Sequence, residues 1–347
     1  MLDIRLLDRL HALQQRRRWM VGLRLTNDYR HLRAALVGTE GHALAVKAEV
    51  FTHVRSALPP HLRRVLARVR GKARARQAGL SLVAAQLAEC QAALLDELAG
   101  EVAPIWDRVL AVAVDDPGLW SKSLGLRGWL GLCDAARLAE LSGQNVVEGF
   151  AARDLALEGR GRPLWPIVDW LLLHDLQKNR LLVERGRGMR CTFLPASRDT
   201  TGAAHTLSFH LPTQPALAGC DSLLAEVPLL AARLRQELPA DARIDQVVWA
   251  GQESAAAVHE RLTAELGAKP VTLEQLGFPR GALRPAGVAL LGLLHLDQTP
   301  ANLPAITGAR TSRVLGRLTP GSLPAWHRLL RELSAARPSV MPLRSAV

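Results

Sequence analysis

Apolar and polar positions along this chain fall into two rhythms. Short runs rich in aliphatic and β-branched residues predict strands at Trp19 to Leu25, Ala34 to Leu36, Ala43 to Val50, Val109 to Val114, Val146 to Phe150, Arg180 to Glu184, Cys191 to Leu194, Thr206 to His210 and Gln246 to Ala250. Longer stretches with helical spacing lie between them, at Pro59 to Val69, Leu80 to Leu98, Ala135 to Ser142, Leu164 to Leu173, Leu223 to Glu237, Ser254 to Glu265 and Pro285 to His295. Alternation of this kind argues α/β layers, without choosing among doubly wound folds. Ahead of the first strand, Leu2, Leu6, Leu10 and Leu13 recur at helical spacing, so residues 1–20 read as an added amphipathic helix. That segment lacks an apolar core and a small-residue cleavage site, and Asp3 and Asp8 argue against a transit peptide.

Composition narrows the class. The chain has 347 residues, 48% of them hydrophobic, enough for two ordinary domains or one large bilobed body. No apolar run approaches the roughly 18 residues of a membrane helix, so the expectation is a cytoplasmic protein without membrane spans. The four cysteines, Cys90, Cys133, Cys191 and Cys220, form no C-x-x-C pair and read as free thiols in a reducing compartment. A metal site from Cys191, His205, His210 and Cys220 would need both histidines on one face. Five apart in a strand-like run they point to opposite faces, and no metal is expected.

The net charge of +12 is mostly arginine. Seven basic groups and no acid stand between His61 and Gln77, and a second cluster is formed by Arg180, Arg185, Arg187 and Arg190. Such patches attract phosphate polymers and acidic surfaces. No aromatics interleave them for base stacking, so a solvated face is the preferred reading and nucleic acid is not the expected partner.

The segment Phe150-Ala-Ala-Arg-Asp154-Leu-Ala-Leu-Glu-Gly159-Arg-Gly161-Arg-Pro163-Leu164-Trp-Pro166 resembles the pattern D-F-R-x-x-D-x-A-x-G-G-Q-G-A-P-L-x-P of the anhydro-N-acetylmuramic acid kinases. Thr299-Pro-Ala-Asn302-Leu303-Pro304-Ala-Ile-Thr307-Gly308-Ala309, then Val314-Leu315-Gly316 and Thr319-Pro320-Gly321, are similar to that family's tail, L-P-G-N-L-P-S-V-T-G-A and L-G-x-I-x-P-G. Val21-Gly22-Leu23 and Ala34-Ala35-Leu36-Val37 frame the place of its M-S-G-T-S-x-D-G, and Leu132 to Glu140 looks like its L-G-x-P-A-x-I-A-E. The matches run in one order from about residue 20 to 321.

The resemblance implies two similar mixed-sheet α/β halves around a cleft, in the manner of actin, Hsp70 and sugar kinases. The expected division is 21–150 and 151–321, with a C-terminal helix and tail at 322–347. It also implies an ATP- and magnesium-dependent sugar kinase of peptidoglycan recycling, and a homodimer. Its substrate would be 1,6-anhydro-N-acetylmuramic acid, opened at the anomeric carbon by activated water while O6 takes the phosphoryl group. Asp154, read as standing at a strand-to-loop exit, falls on the pattern's second aspartate and would be the catalytic base. A carboxylate there could equally cap the next helix or pair with Arg153 or Arg162.

The phosphate motifs depart from the family. M-S-G-T-S-x-D-G becomes Arg24-Leu25-Thr26-Asn27-Asp28-Tyr29-Arg30-His31, and the next aspartate becomes Arg33. The second hairpin, N-x-G-G-I-A-N-V-T, reads Glu184-Arg185-Gly186-Arg187-Gly188-Met189-Arg190-Cys191-Thr192; G-G-G-A-R-N keeps only Gly251; H-G-Q-T-x-W keeps only Trp120. The degraded phosphate positions are therefore Arg24, Arg30, Gly186, Gly188 and Gly251. Three readings stay open. One is a family member with weakened or lost phosphotransfer, retaining a pocket for an anhydro-amino sugar or an anion in a binding or regulatory role. The others are a working kinase with an arginine-based phosphate site, and a basic scaffold for nucleic acid or an acidic partner.

Overall fold

The computed structural model describes residues 17–70, 77–116, 118–123, 125–185, 189–211, 220–239, 242–250 and 256–335. Strands β1 (Arg18–Leu25), β2 (His31–Glu40) and β3 (Lys47–Ala57) form an antiparallel meander. On the other side of β1, β4 (Val109–Asp115) and β7 (Val146–Glu148) add in parallel, and β13 (Arg317–Thr319) closes the edge antiparallel to β7. A second sheet repeats the plan: β8 (Arg180–Arg185), β9 (Met189–Leu194) and β10 (Leu207–Leu211) form the meander, and β11 (Gln246–Trp249) and β12 (Lys269–Thr272) follow in parallel. The orders are β13-β7-β4-β1-β2-β3 and β10-β9-β8-β11-β12. The expected repeated α/β architecture is the one the chain adopts.

Helices cover both sheets. Helices α1 (Pro60–Arg70), α2 (Gln77–Glu101) and α3 (Ala135–Ser142) bury their apolar stripes on one face of the first sheet, through residues such as Leu62, Leu66, Leu87, Leu95 and Leu138. Between the sheets lie α5 (Trp165–Leu173) and α8 (Leu283–Leu296), whose side chains join both sheets in one continuous core. Gly22 on β1 is where α8 comes closest: a Cβ there would collide with the carbonyl of Pro285. On the outer face of the second sheet, α6 (Cys220–Glu237) and α7 (Ala256–Leu266) complete a separate cluster around Val247, Leu181 and Val258. The remaining helices are α4 (Phe150–Ala156) and α9 (Leu323–Ala335), besides the single turns Ala103–Trp106 and Pro304–Thr307.

Several expectations shift. Residues 1–16 of the expected N-terminal helix lie outside the described residues, and Arg18 to Met20 already belong to β1. The strand expected at Ala43 to Val50 is a 3₁₀ turn, Ala43–Ala45, followed by β3, a half-exposed edge strand whose polar residues hide its character. The hairpin of β5 (Leu119–Ser123) and β6 (Leu126–Leu130) and the short strands β12 and β13 carry too few residues for periodicity to reveal. Two segments beyond residue 151 return to the first sheet: α8 packs on β1, and β13 pairs with β7. The chain crosses back because this face of the first sheet is apolar and is covered by α8 together with α5 and the C-terminal helix around Leu329.

The basic run beginning at His61 is helical as far as Arg70, with Arg64 and Arg68 exposed, and residues 71–76 lie outside the described residues. Of the second basic cluster, Arg187 lies outside the described residues, and Arg180 and Arg190 are engaged by partners. Arg180 is bonded to Asp175 at 2.7 Å and to Gln246 at 2.8 Å, and Arg190 is paired with Glu184. His205 ends a 3₁₀ turn and is not part of a strand. No helix among the described residues is long and apolar enough to cross a membrane.

Candidate functional site

Parallel strands end together, and in α/β sheets ligands bind beyond those carboxyl ends. Here β1 ends at Arg24 and Leu25, β4 at Asp115 followed by Asp116, and β7 at Glu148 followed by Gly149. A cleft of about 450 Å³ opens at that place, lined by Arg24, Asn27, Asp115, Asp116, Gly149 and Phe150. The β5–β6 hairpin adds Trp120 and Trp129, and the loop after α4 adds Gly161, Arg162, Leu164 and Trp165. Trp120 stays 36% exposed, with the Arg162 guanidinium 3.5 Å above its ring. An exposed indole at a cleft wall is a surface on which the apolar C–H face of a sugar ring can pack.

Asp154 does not stand at a strand exit. Gly149, at φ +72°, turns the chain out of β7 directly into α4, and Asp154 lies on that helix with no exposed surface. Its Oδ2 accepts the Gly161 amide at 2.8 Å, and its Oδ1 accepts the Asn302 side-chain amide at 2.8 Å. Gly159 has to be glycine here, because a Cβ would strike the Asp154 carboxylate. Asp154 is absent from the cleft wall, whereas Gly149, the position of the pattern's first aspartate, is part of it. Through these bonds Asp154 orders the loop that carries Gly161 and Arg162 to the cleft.

The tail signature serves the same loop. Asn302 accepts the Arg313 amide at 2.6 Å while donating to Asp154, and the single turn Pro304–Thr307 receives Arg160, whose Nη2 donates to the Ile306 carbonyl at 3.1 Å. The segment from Asn302 to Ala309 is thus packed beneath the cleft loop.

The degraded phosphate positions separate. Arg24 forms an ion pair with Asp115 at 3.0 Å, bonds Asn27 at 3.0 Å and lies 4.9 Å from the centre of the Trp165 ring. The same ring has Arg284 at 5.0 Å, and Arg284 is held by Asp169 at 2.6 Å and by Glu184, which also holds Arg190. Burial, opposed by Asp115, lowers the Arg24 pKa; burial and the neighbouring Arg284 bring that of Arg190 down to about 9. Arg30 is exposed, 3.7 Å from Asp28. Gly186, Gly188 and Gly251 lie outside the described residues.

Sequence reasoning passed over Asp116. Its Oδ1 accepts the Gly118 amide at 2.8 Å, and its Oδ2 accepts those of Leu132 and Cys133 at 2.5 and 2.6 Å, so one carboxylate closes the β5–β6 hairpin at the cleft wall. Burial, reinforced by Glu148, pushes its pKa up to about 6 against the pull of the three amides. The signal was present as two consecutive acids at the end of a buried strand.

Comparison with known proteins gives the family. The family model for anhydro-N-acetylmuramic acid kinase matches residues 28–202, half of the chain. The chain belongs to that family. An anhydro-N-acetylmuramic acid kinase of Streptomyces avermitilis is 30% identical over 262 residues, which cover 58% of this chain and 68% of the relative. One from Xylella fastidiosa is 27% identical over 257 residues, covering 54% and 66%. Among solved structures, an inorganic polyphosphate/ATP-glucomannokinase from Arthrobacter sp. strain KM aligns over 78% of this chain and 97% of its own, with 14% identity and a TM-score of 0.38. For a chain of the anhydro-N-acetylmuramic acid kinase family, the cleft beyond the first sheet is the candidate site.

Proposed function

We propose that this chain is a sugar-binding member of the anhydro-N-acetylmuramic acid kinase family, holding a 1,6-anhydro-amino sugar in the cleft beyond β1, β4 and β7 and carrying out ATP-dependent phosphotransfer weakly or not at all. Family membership supports the sugar and ATP as the ligands to test first. The observation that carries the reading is the contrast within the cleft: an aromatic wall of Trp120, Trp129 and Trp165 is in place, while Arg24 occupies Asp115 where the first phosphate hairpin begins.

Magnesium, which the family implies, takes carboxylate and water oxygens in octahedral geometry. At this cleft Asp115 is engaged by Arg24 and Asp116 by three amides, and Arg30 stands where the family has an acid. Among the described residues no group of three His, Cys, Asp or Glu is placed to hold a metal ion. The residues described at this cleft do not fit magnesium.

Calorimetry with 1,6-anhydro-N-acetylmuramic acid, then with Mg-ATP, tests the reading. The expected result is sugar binding, Mg-ATP affinity no tighter than about millimolar, a level worth roughly 4 kcal/mol, and no phosphorylated sugar. Micromolar Mg-ATP binding, or turnover abolished by Asp154→Asn, would establish instead a working kinase with Asp154 as base. The homodimer implied by the family is read from the same sample by light scattering.

A further inference from the structure

Cross-strand neighbours in a sheet share a face, and like charges placed directly opposite destabilise it. One row of the first sheet breaks that rule twice. Asp115 on β4 is the register partner of Arg24 on β1, Arg24 of Arg33 on β2, and Arg33 of Arg55 on β3. The row therefore holds one acid and three arginines on neighbouring strands. Asp115 neutralises Arg24 at 3.0 Å. Arg33 reaches only the Gly281 carbonyl, at 3.4 Å, and its Nε is buried without an acceptor. Among the described residues no carboxylate is paired with Arg33 or Arg55. The nearest acid in the β1–β2 turn, Asp28, is engaged with Thr26, the Arg30 amide and the Arg30 side chain.

Glycines let the row lie close to α8. Gly22, two residues before Arg24 and hence on the same side of β1, lies under α8, so the row runs along the edge where α8 begins. Gly281 just ahead of that helix lacks the Cβ that would crowd the Arg33 guanidinium at 2.6 Å. Burial, with Arg55 and Arg24 beside it, lowers the proton affinity of Arg33, yet a guanidinium stays charged at any physiological pH.

We propose that Arg33 and Arg55 form a metal-independent subsite for a phosphoryl dianion. Two guanidinium forks in excess match the charge and the oxygen geometry of a phosphate group, and a dianion removes the like-charge repulsion along the row. The phosphate could be the end of a polyphosphate chain or the monoester of a sugar. The subsite does not depend on whether the anhydro sugar is bound or turned over.

The test is calorimetry of the full chain at low salt in EDTA, with inorganic pyrophosphate and with glucose 6-phosphate as probes. Either probe should bind, and the tighter of the two identifies the source. Arg55→Gln, an exposed position that leaves the core untouched, should weaken binding about tenfold, the loss of one charge-assisted hydrogen bond. Arg33→Gln should weaken it at least as much, and Arg243→Gln, an exposed arginine elsewhere, should leave it unchanged. Added magnesium should weaken binding by competing for the same oxygens. Binding that survives Arg55→Gln, that requires magnesium, or that is absent for both probes overturns the proposal.

Discussion

Two sets of arginines lie within a few residues of the same cleft and meet opposite conditions. Arg24, Arg190 and Arg284 are largely buried, and each faces a carboxylate, from Asp115, Glu184 and Asp169. Arg33 and Arg55 stand one and two strands away from Arg24 with no such partner among the described residues. Arginines of the first set are structural, because a buried charge persists only when paired and hydrogen-bonded. Those of the second set are less buried and retain an unmet demand for an anion. A count of arginines in the phosphate motifs treats both alike; only the register of the sheet separates them.

The sharpest way to break this comparison is to remove an acid from the paired set. Glu184→Ala leaves Arg284 and Arg190 short of their partner at sites where Arg284 is 12% exposed. A loss of about 3–5 kcal/mol is expected, read as a lower urea midpoint with unchanged slope. A change under about 1 kcal/mol would mean that the network is weak despite its burial.

Next in size is the cleft loop. Asp154→Ala strands the Gly161 amide and the Asn302 side chain, and should cost about 1–3 kcal/mol while weakening sugar affinity through the displaced Arg162. A variant of full stability that loses only turnover would restore Asp154 to the role of base.

The effect of pH follows for Asp116. Its folded pKa of about 6 lies above the unfolded carboxylate value, so the folded state binds the extra proton. Asp116 therefore subtracts stability as pH rises from about 4 to about 6, and the penalty is complete above that range. Asp116→Asn, which keeps an acceptor for the hairpin amides, should flatten the urea-midpoint profile across this window. An unchanged profile would show that the three amides outweigh burial.

The smallest effect sharpens the contrast most. Arg55→Thr removes one like charge from the row and places a good strand former on β3, so stability should rise by about 0.2–1 kcal/mol in phosphate-free buffer. Added pyrophosphate should then stabilise the parent chain more than the variant. An arginine whose loss destabilises the free protein would belong with the paired set after all.

Much of the fold was legible because it rests on local patterns. Ala135 to Ser142 was bounded correctly, with Asp134 as its cap accepting the Arg137 amide at 3.0 Å, and β1, β4 and β8 showed themselves as apolar runs. What escaped was whatever depends on a distant partner. β13 has three residues and exists because β7 offers an edge, and the β5–β6 hairpin is closed by Asp116. The site followed the same division. The motif around Asp154 announced that the residue matters, but its place on α4 depends on Gly149 turning the chain one residue after β7 ends.

By itself the sequence determined that the chain is an α/β protein of this family, since alternating apolar periods and ordered motifs are properties of the linear chain. It also placed arginines at positions 24, 30 and 33, around the turn that follows the first strand. Tertiary structure decided which carboxylate faces the cleft, which arginines are neutralised, and that α8 rather than a nearer helix covers β1. Those outcomes depend on which groups meet across long stretches of chain. Burial and register set the energy of a charge far more than its identity does.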